Sequence, residues 1–240
     1  MSEKNTATRL TRETVLRGAL ALLNDIGIDA LSTRRLAQHL GVQSPTLYWH
    51  FKNKAELLKA MAETIMLDHR EEVPADMPWQ DWVVTNASHF RRALLAYRDG
   101  ARLHAGTRPQ EPQFAIIEAK VALLCRAGLT PERAVNLLFA VGRFVVGWVL
   151  EEQQMQSDDA LNDADRQRYP LLCEGWETLQ DKGADALFEA SVRLLVDGAE
   201  AEFAGATDPY DVAVLDLGLP GMPGIEVLTR WRAQGITMPV

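Results

Sequence analysis

The amino-acid sequence predicts an all-α protein: a small helix-turn-helix head, a larger helical body, and a C-terminal tail of different character. Three observations carry this prediction. Apolar residues recur at spacings of three and four over most of residues 11–203. The periodic segments are bounded by helix caps and glycine stops. Only the stretch "DVAVLDLGLPGMPG", after Ala206, has a β-type apolar run followed by a Gly/Pro loop. The expected divisions are 1–65, 66–206 and 207–240.

In the head, Val15, Leu16, Ala19, Leu20, Leu22 and Leu23 form one helix face, and Gly27 stops that helix. Ser32 or Thr33 caps a second helix with Leu36, Ala37 and Leu40 on its apolar side, which Gly41 breaks within about two turns. Val42 fills the turn. Ser44 is expected to cap a third helix with Pro45 at its first position, where a missing N–H costs nothing. Asn53 and Glu56 have N-cap and N3 spacing and open a fourth helix through Leu57, Met61 and Ile65. Two short helices joined by "HLGVQSP" are what a helix-turn-helix requires. "SPTLYWHFKNK" sets Tyr48, Trp49, His50 and Phe51 side by side on what reads as a short helix. Neighbouring helical positions turn by about 100°, so these rings cannot share one core. Leu47 and Phe51, four apart, are expected inside.

In the body, helices are expected over about 79–98 and 110–127, then from Thr130-Pro131 through Glu152. Residues 153–168 lose the apolar period and read as an acidic, mobile connection. Two more periodic helices follow around "LLCEGWETLQ" and "ADALFEASVRLLVDGAEAEF". Cys125 and Cys173 lie far apart, without metal-ligand spacing, and read as buried reduced thiols.

Charge separates the parts. Residues 1–60 hold nine Lys and Arg against five acids, a balance of +4, whereas the whole chain is −8. A basic head on an acidic body fits a head that meets a polyanion. No apolar run reaches about 18 uncharged residues, so the chain is expected in the cytosol. An enzyme would need an activated nucleophile or acid/base pair; there is no GxSxG, zinc-ligand spacing or phosphate loop.

In a helix-turn-helix the second helix enters the major groove by its N-terminal residues, here Gln43, Ser44, Pro45 and Thr46. Gln43 or Ser44 can hydrogen-bond a base edge, and the Pro45 ring and Thr46 methyl can touch a thymine methyl. Arg34 has the fork that pairs with a guanine edge or a phosphate. Tyr48, His50 and Lys54 carry donors suited to phosphates, which position a protein without reading sequence. Thr33 and Trp49 complete the candidate DNA-binding set, with Trp49 divided between a DNA contact and the rim of the small core.

In the body, Asn86 and Phe90 share a helix face, an amide beside an aromatic wall. His104, Thr107 and Arg108 fall within five residues around Gly106 and Pro109 and could converge on one point. The alternative is a helix-end cap at His104 and a salt bridge at Arg108. Glu151-Glu152 closes an apolar helix, a position that is most often solvated. A His and a carboxylate could ligate a cation, but Mg²⁺ prefers oxygen, so a ligand bringing its own chelating oxygens would have to complete such a site.

"LSTRRLAQHLGVQSPTLYWHFKNKAELL" resembles the DNA-binding head of the tetracycline repressor (TetR) family. The similarity continues through "WQDWVVTNASHFRRALLAYRDGARLHAGTRP" and "AVGRFVVGWVLEEQ", is closer than that to the general family and similar to tetracycline repressors themselves, and covers about residues 10–203. It implies a homodimeric, all-helical sensor that releases double-stranded operator DNA when a small ligand binds, either a tetracycline–Mg²⁺ complex or a different inducer. A DNA-binding protein with an unresponsive body is a further alternative. By the same resemblance Asn86, Phe90 and Leu138 belong to the ligand site, and His104 and Glu151 to the metal. Thr107, Arg108 and Pro109 belong to a loop that moves on induction. Two positions depart from the pattern: Arg70, or its neighbour His69 if the register slips by one, and Lys120 stand where the family has a His and a Gln, and Arg70 and Lys120 both add positive charge. The last two body helices, 169–203, are expected at the dimer interface, because an apolar helix pair at the chain's end needs a surface to bury against.

"YDVAVLDLGLPGMPGIEVLTRWRAQG" is similar to the middle of a response-regulator receiver domain, with Asp216 matching the phosphorylated residue. The upstream acidic pair and the downstream Thr/Ser and Lys of that family are absent, so phosphotransfer is not expected.

Overall fold

A computed structural model describes residues 10–69, 73–74, 76–109, 111, 113–154, 163–207 and 224–233. All regular structure among these residues is helical. The expected strand near residues 209–215, the Asp216 position and Arg70 lie outside the described residues.

Helix α1 (Arg12–Ala30) begins at Thr11, whose side chain accepts the Thr14 N–H. It breaks at Gly27, where φ is 74°, a left-handed value that a side chain makes costly. Thus the expected stop falls where the sequence puts it, but helical residues resume beyond it. Ser32, not Thr33, caps α2 (Thr33–His39) by accepting the Arg35 N–H. After the turn comes α3 (Ser44–Leu47). Here the expectation needs correction: Ser44 is the first helical residue, and Gln43 holds the cap position with no side-chain hydrogen bond. The four rings also do not share a helix, because α3 ends at Leu47. His50 and Phe51 both donate their N–H to the Leu47 carbonyl in a turn that follows the helix. This turn buries Phe51 beside Leu47 and leaves Tyr48 and Trp49 outside.

Helix α4 (Lys54–Asp68) starts as its spacing predicts: the Glu56 N–H donates to Asn53, and the Glu56 carboxylate accepts the Lys52 N–H. α4 runs past the division expected at residue 65 and packs on α1, on α5 (Trp79–Leu95) and on α6 (Gly100–His104). The head core of Leu16, Leu20, Leu23, Leu47, Phe51 and Met61 reaches into the body through Ala93 and Leu103. Polar contacts reinforce the junction. Asp99 accepts the Ile28 N–H at 2.9 Å, Arg98 N–H donates to Asn24 Oδ1 at 2.9 Å, and Arg102 holds Asp29 through both terminal nitrogens.

The short helix α6 follows a tight elbow that the periodicity did not reveal. A Cβ at Gly100 would lie 2.0 Å from the Leu94 carbonyl oxygen, so the elbow closes only around a residue without a side chain.

Beyond it lie α7 (Gln113–Arg126), α8 (Pro131–Gln154), α9 (Asp163–Arg168), α10 (Pro170–Asp181), α11 (Ala184–Thr207) and α12 (Gly224–Ala233). α8 is long and apolar enough to span a bilayer, but it packs against α5, α6, α7 and α11 as a core helix does. The body core runs from Trp82, Val83 and Leu94 through Leu124, Leu137, Val141, Val145 and Val149 to Phe188, Val192 and Val196. The expected loose connection of 153–168 is narrower than its composition suggests. α8 continues to Gln154, Gln153 donates to the Tyr97 carbonyl at 2.9 Å, and 163–168 is helical. Both cysteines are free, with Cys173 buried and Cys125 only half-buried, against the expectation for the latter.

Candidate functional site

The head presents one polar face. Arg34, Gln43, Pro45 and Lys54 are exposed, and Thr33, Ser44, Thr46 and His50 are half-buried around them. Tyr48 and Trp49 are 52% and 88% exposed. An indole so open to water contributes almost nothing to a core, which removes the rim reading of Trp49. What holds this face in place is the packing beneath it: α2 lies on α3, and Leu36, Ala37, Leu47 and Phe51 are buried together. Arg12 covers the Phe51 ring from the other side, 4.9 Å from its centroid.

The second site lies where α5, α6 and α7 meet. Asn86 and Phe90 sit one turn apart on α5. The Lys120 ammonium on α7 donates to Asn86 Oδ1 at 2.8 Å. The Phe90 ring meets the His104 ring edge-on, with centroids 5.1 Å apart and planes at 71°. Lys120, Asn86, Phe90 and His104 thus form one continuous row. Leu138 on α8 is half-buried against the same core as Phe90.

His104 closes α6, and the chain turns immediately after it: Thr107 donates both its N–H and its hydroxyl to the His104 carbonyl, at 3.1 and 2.8 Å. Arg108 and Pro109 follow, exposed. The imidazole itself is not a helix cap, because its Nδ1 is buried without a hydrogen-bond partner. Burial pushes the ring's pKa below the ordinary histidine value, since a low-dielectric setting penalises the charged form. The result is a neutral imidazole with an unused nitrogen, as metal ligation requires. Among the described residues no group of three or more His, Cys, Asp and Glu is placed to hold an ion. His104 therefore fits a cation whose other positions are filled by ligand oxygens and water.

Glu151 is exposed, while Glu152 bonds to Arg91 on α5 and Gln153 to the Tyr97 carbonyl beyond it. The solvated reading therefore holds for Glu151 and fails for Glu152. Arg91, only 5% exposed, donates from Nε and Nη2 to the Glu152 carboxylate at 2.8 and 2.5 Å and from Nη1 to Asp185 at 2.6 Å. Its guanidinium also lies 5.1 Å from the Phe188 centroid. These bonds, the one to Glu152 foremost, make Arg91 hold its proton more tightly than usual, and Arg91 holds the Asp185 carboxyl below its ordinary range. The sequence analysis missed this hub. Its one signal is an arginine among Ala87, Ala93 and Leu94 on the inward side of an amphipathic helix.

A helix-turn-helix with an exposed polar face, joined rigidly to a helical body with an aromatic and imidazole-lined site, defines a one-component regulator: DNA at one end, a small molecule at the other. Residues 15–61 match the family model "Bacterial regulatory proteins, tetR family", and residues 73–203 match "Tetracyclin repressor-like, C-terminal domain". The chain belongs to the tetR family and is a ligand-responsive transcriptional repressor, not an enzyme. It is 47% identical over 196 residues to the class A tetracycline repressor protein from transposon 1721 of Escherichia coli, covering 80% of this chain and 91% of that one. It is 45% identical over 200 residues to the class C repressor of the same organism, with the same coverage. Among solved structures, class A TetR in complex with 5a,6-anhydrotetracycline and magnesium superposes with a TM-score of 0.62 at 42% identity, over 80% of this chain and 99% of that one. A TetR variant from Acinetobacter baumannii AYE in complex with minocycline gives 0.66 at 42% identity, over 81% and 99%.

Proposed function

We propose that this repressor acts in the cytoplasm as a homodimer released from its operator by a tetracycline–Mg²⁺ complex. The observation that carries the reading is His104: a half-buried, neutral imidazole whose buried Nδ1 is unused, held edge-on to Phe90. Asn86, Phe90 and Leu138 would hold the ring system and His104 the ion, with Lys120 and the Thr107–Pro109 loop at the rim. A bound Mg²⁺ would supply positive charge that draws ligand oxygens, with His104 as its protein ligand. Glu151, exposed on α8, would act on the metal's water only where another surface brings it close.

Two recognition segments are needed on one operator, spaced by about 34 Å, one turn of B-DNA. Dimerisation is supported by outward apolar side chains on α8, α10 and α11: Phe139, Leu171 and Leu194 are 43%, 82% and 74% exposed. Gln43 to Thr46 would read bases, with Thr33, Arg34, Tyr48, Trp49, His50 and Lys54 on the backbone. Ligand would favour the dimer geometry in which the two segments no longer match successive grooves, and its preference for that state must amount to a few kcal/mol.

The test is a gel shift with DNA from upstream of the gene, with and without tetracycline and Mg²⁺. A shift abolished only by both together is expected. No shift at any salt would remove the repressor assignment, and a shift that tetracycline leaves intact would remove the inducer alone.

A further inference from the structure

We infer that Arg12, the first residue of α1, is a phosphate contact in the complex with DNA, set in place by the ring of Phe51. The inference rests on the DNA-binding reading of the head and adds to it a residue from outside the helix-turn-helix.

Phe51 belongs to the segment that follows the recognition helix. Its N–H bonds to the Leu47 carbonyl at the end of α3, its ring is buried, and Tyr48, Trp49 and His50 come immediately before it. The Arg12 guanidinium sits over that ring, 4.9 Å from its centroid, while the residue itself stays exposed. A ring attracts a cation through its face and leaves the five N–H donors of an arginine uncommitted. The acids nearby in sequence are engaged elsewhere. Glu13 lies 4.0 Å from Arg17, Arg17 also holds Asp68, and the Glu56 carboxylate accepts the Lys52 N–H. Among the described residues Arg12 makes no side-chain hydrogen bond and no ion pair.

The charge does not serve α1, because a cation in the first turn opposes the helix dipole. What remains is a positive group without a counter-charge, fixed beside the segment that faces DNA. When Gln43 to Thr46 occupy a major groove, the strands bordering it pass the residues that flank this segment. A phosphate there would receive the guanidinium's paired donors. The ring lowers the cost of that contact, since an arginine already held in place has less side-chain freedom to lose.

A purely structural role, in which Arg12 only covers Phe51, predicts lower stability and nothing more. The two roles separate in the salt dependence of binding, because each phosphate contact adds about 0.9 to the slope of log affinity against log salt. Labelled duplex from upstream of the gene, and a scrambled duplex of equal length, are titrated with the full chain by fluorescence anisotropy at about 0.05 to 0.3 M salt. Arg12→Met keeps an apolar cover over Phe51, and Arg12→Gln is a second neutral variant. Both should make the slope shallower by about 0.9 for each chain bound, and weaken binding about tenfold or more at low salt, alike on both duplexes. Arg12→Lys keeps the charge and should hold the wild-type slope to within about 0.5.

An unchanged slope in the neutral variants, or an equal loss in Arg12→Lys, overturns the inference. So does a steepening of the same size in Glu13→Gln, which would reduce Arg12 to its share of the general field. A destabilised variant still decides the question, because a smaller folded fraction scales the affinity by a constant and leaves the slope as it is. Absence of binding by the wild-type chain at any salt is a different result: it removes the DNA-binding reading, and this contact with it.

Discussion

Arg91 and Glu152 meet through two hydrogen bonds inside the body, Nε to Oε2 at 2.8 Å and Nη2 to Oε1 at 2.5 Å, joining the C-terminal part of α5 to the last turn of α8. Asp185 at the start of α11 takes the remaining arm, so one guanidinium fastens three helices. Phe90, the aromatic wall of the candidate ligand site, is its neighbour on α5, and Glu151 is the neighbour of its partner on α8.

Removing the guanidinium leaves Glu152 partly buried without its counter-charge. Arg91→Ala is expected to cost about 3 kcal/mol in urea unfolding. Arg91→Met, which keeps the apolar stem against Phe188, should recover part of that loss. Asp185→Asn should matter far less, because the Asp185 side chain is 89% exposed.

His104 gives the fold an acid sensitivity of defined sign. Burial lowers its pKa, so the unfolded chain takes up the proton at a higher pH than the folded one. Above about pH 6.5 both states are neutral and nothing is lost; as pH falls below that value, protonation favours the unfolded chain and stability declines. Denaturation midpoints followed from pH 8 to about 5 should therefore fall less steeply in His104→Gln than in wild type.

On DNA, Tyr48→Phe should weaken binding to operator and scrambled duplex alike, by about fivefold, since it removes one phosphate hydrogen bond. Ser44→Ala should instead alter which base is preferred near the groove. Competition gel shifts over single-base operator variants separate the two effects, and the opposite assignment would follow if Tyr48→Phe changed the ranking of sequences.

Asn53→Ala should destabilise the head by about 1 kcal/mol through loss of the α4 cap. Thermal melting checks the size. Operator binding should fall only in step with the unfolded fraction, because Asn53 has its side chain committed to the Glu56 N–H.

Local features were legible in the sequence because local physics decides them. Asn53 with Glu56, Gly27, and the Leu47 and Phe51 pair each act within a few residues, and the structure keeps all three. The ligand row was legible only where its members share a helix face, as Asn86 and Phe90 do. What pairs with what across the body was hidden: Glu152 and Asp185 lie 61 and 94 residues from Arg91, and no periodicity links positions that far apart. The end of α3 was misplaced for another reason. "TLYWHF" has helix-compatible composition, but the Tyr48 and His50 N–H groups bond to carbonyls three residues back, a tightened turn in place of a continued α-helix.

Gly100 and Lys120 mark two different rates of change for one protein. The elbow at Gly100 has no room for even a methyl group, so sequence drift at that position ends in a chain that does not fold, whatever compound the cell needs to sense. Lys120, half-buried on α7, joins Asn86 through a flexible side chain and closes no such elbow. On the proposed reading of the site, a lineage meeting a new compound varies ligand chemistry at position 120 while the frame around Gly100 is inherited intact.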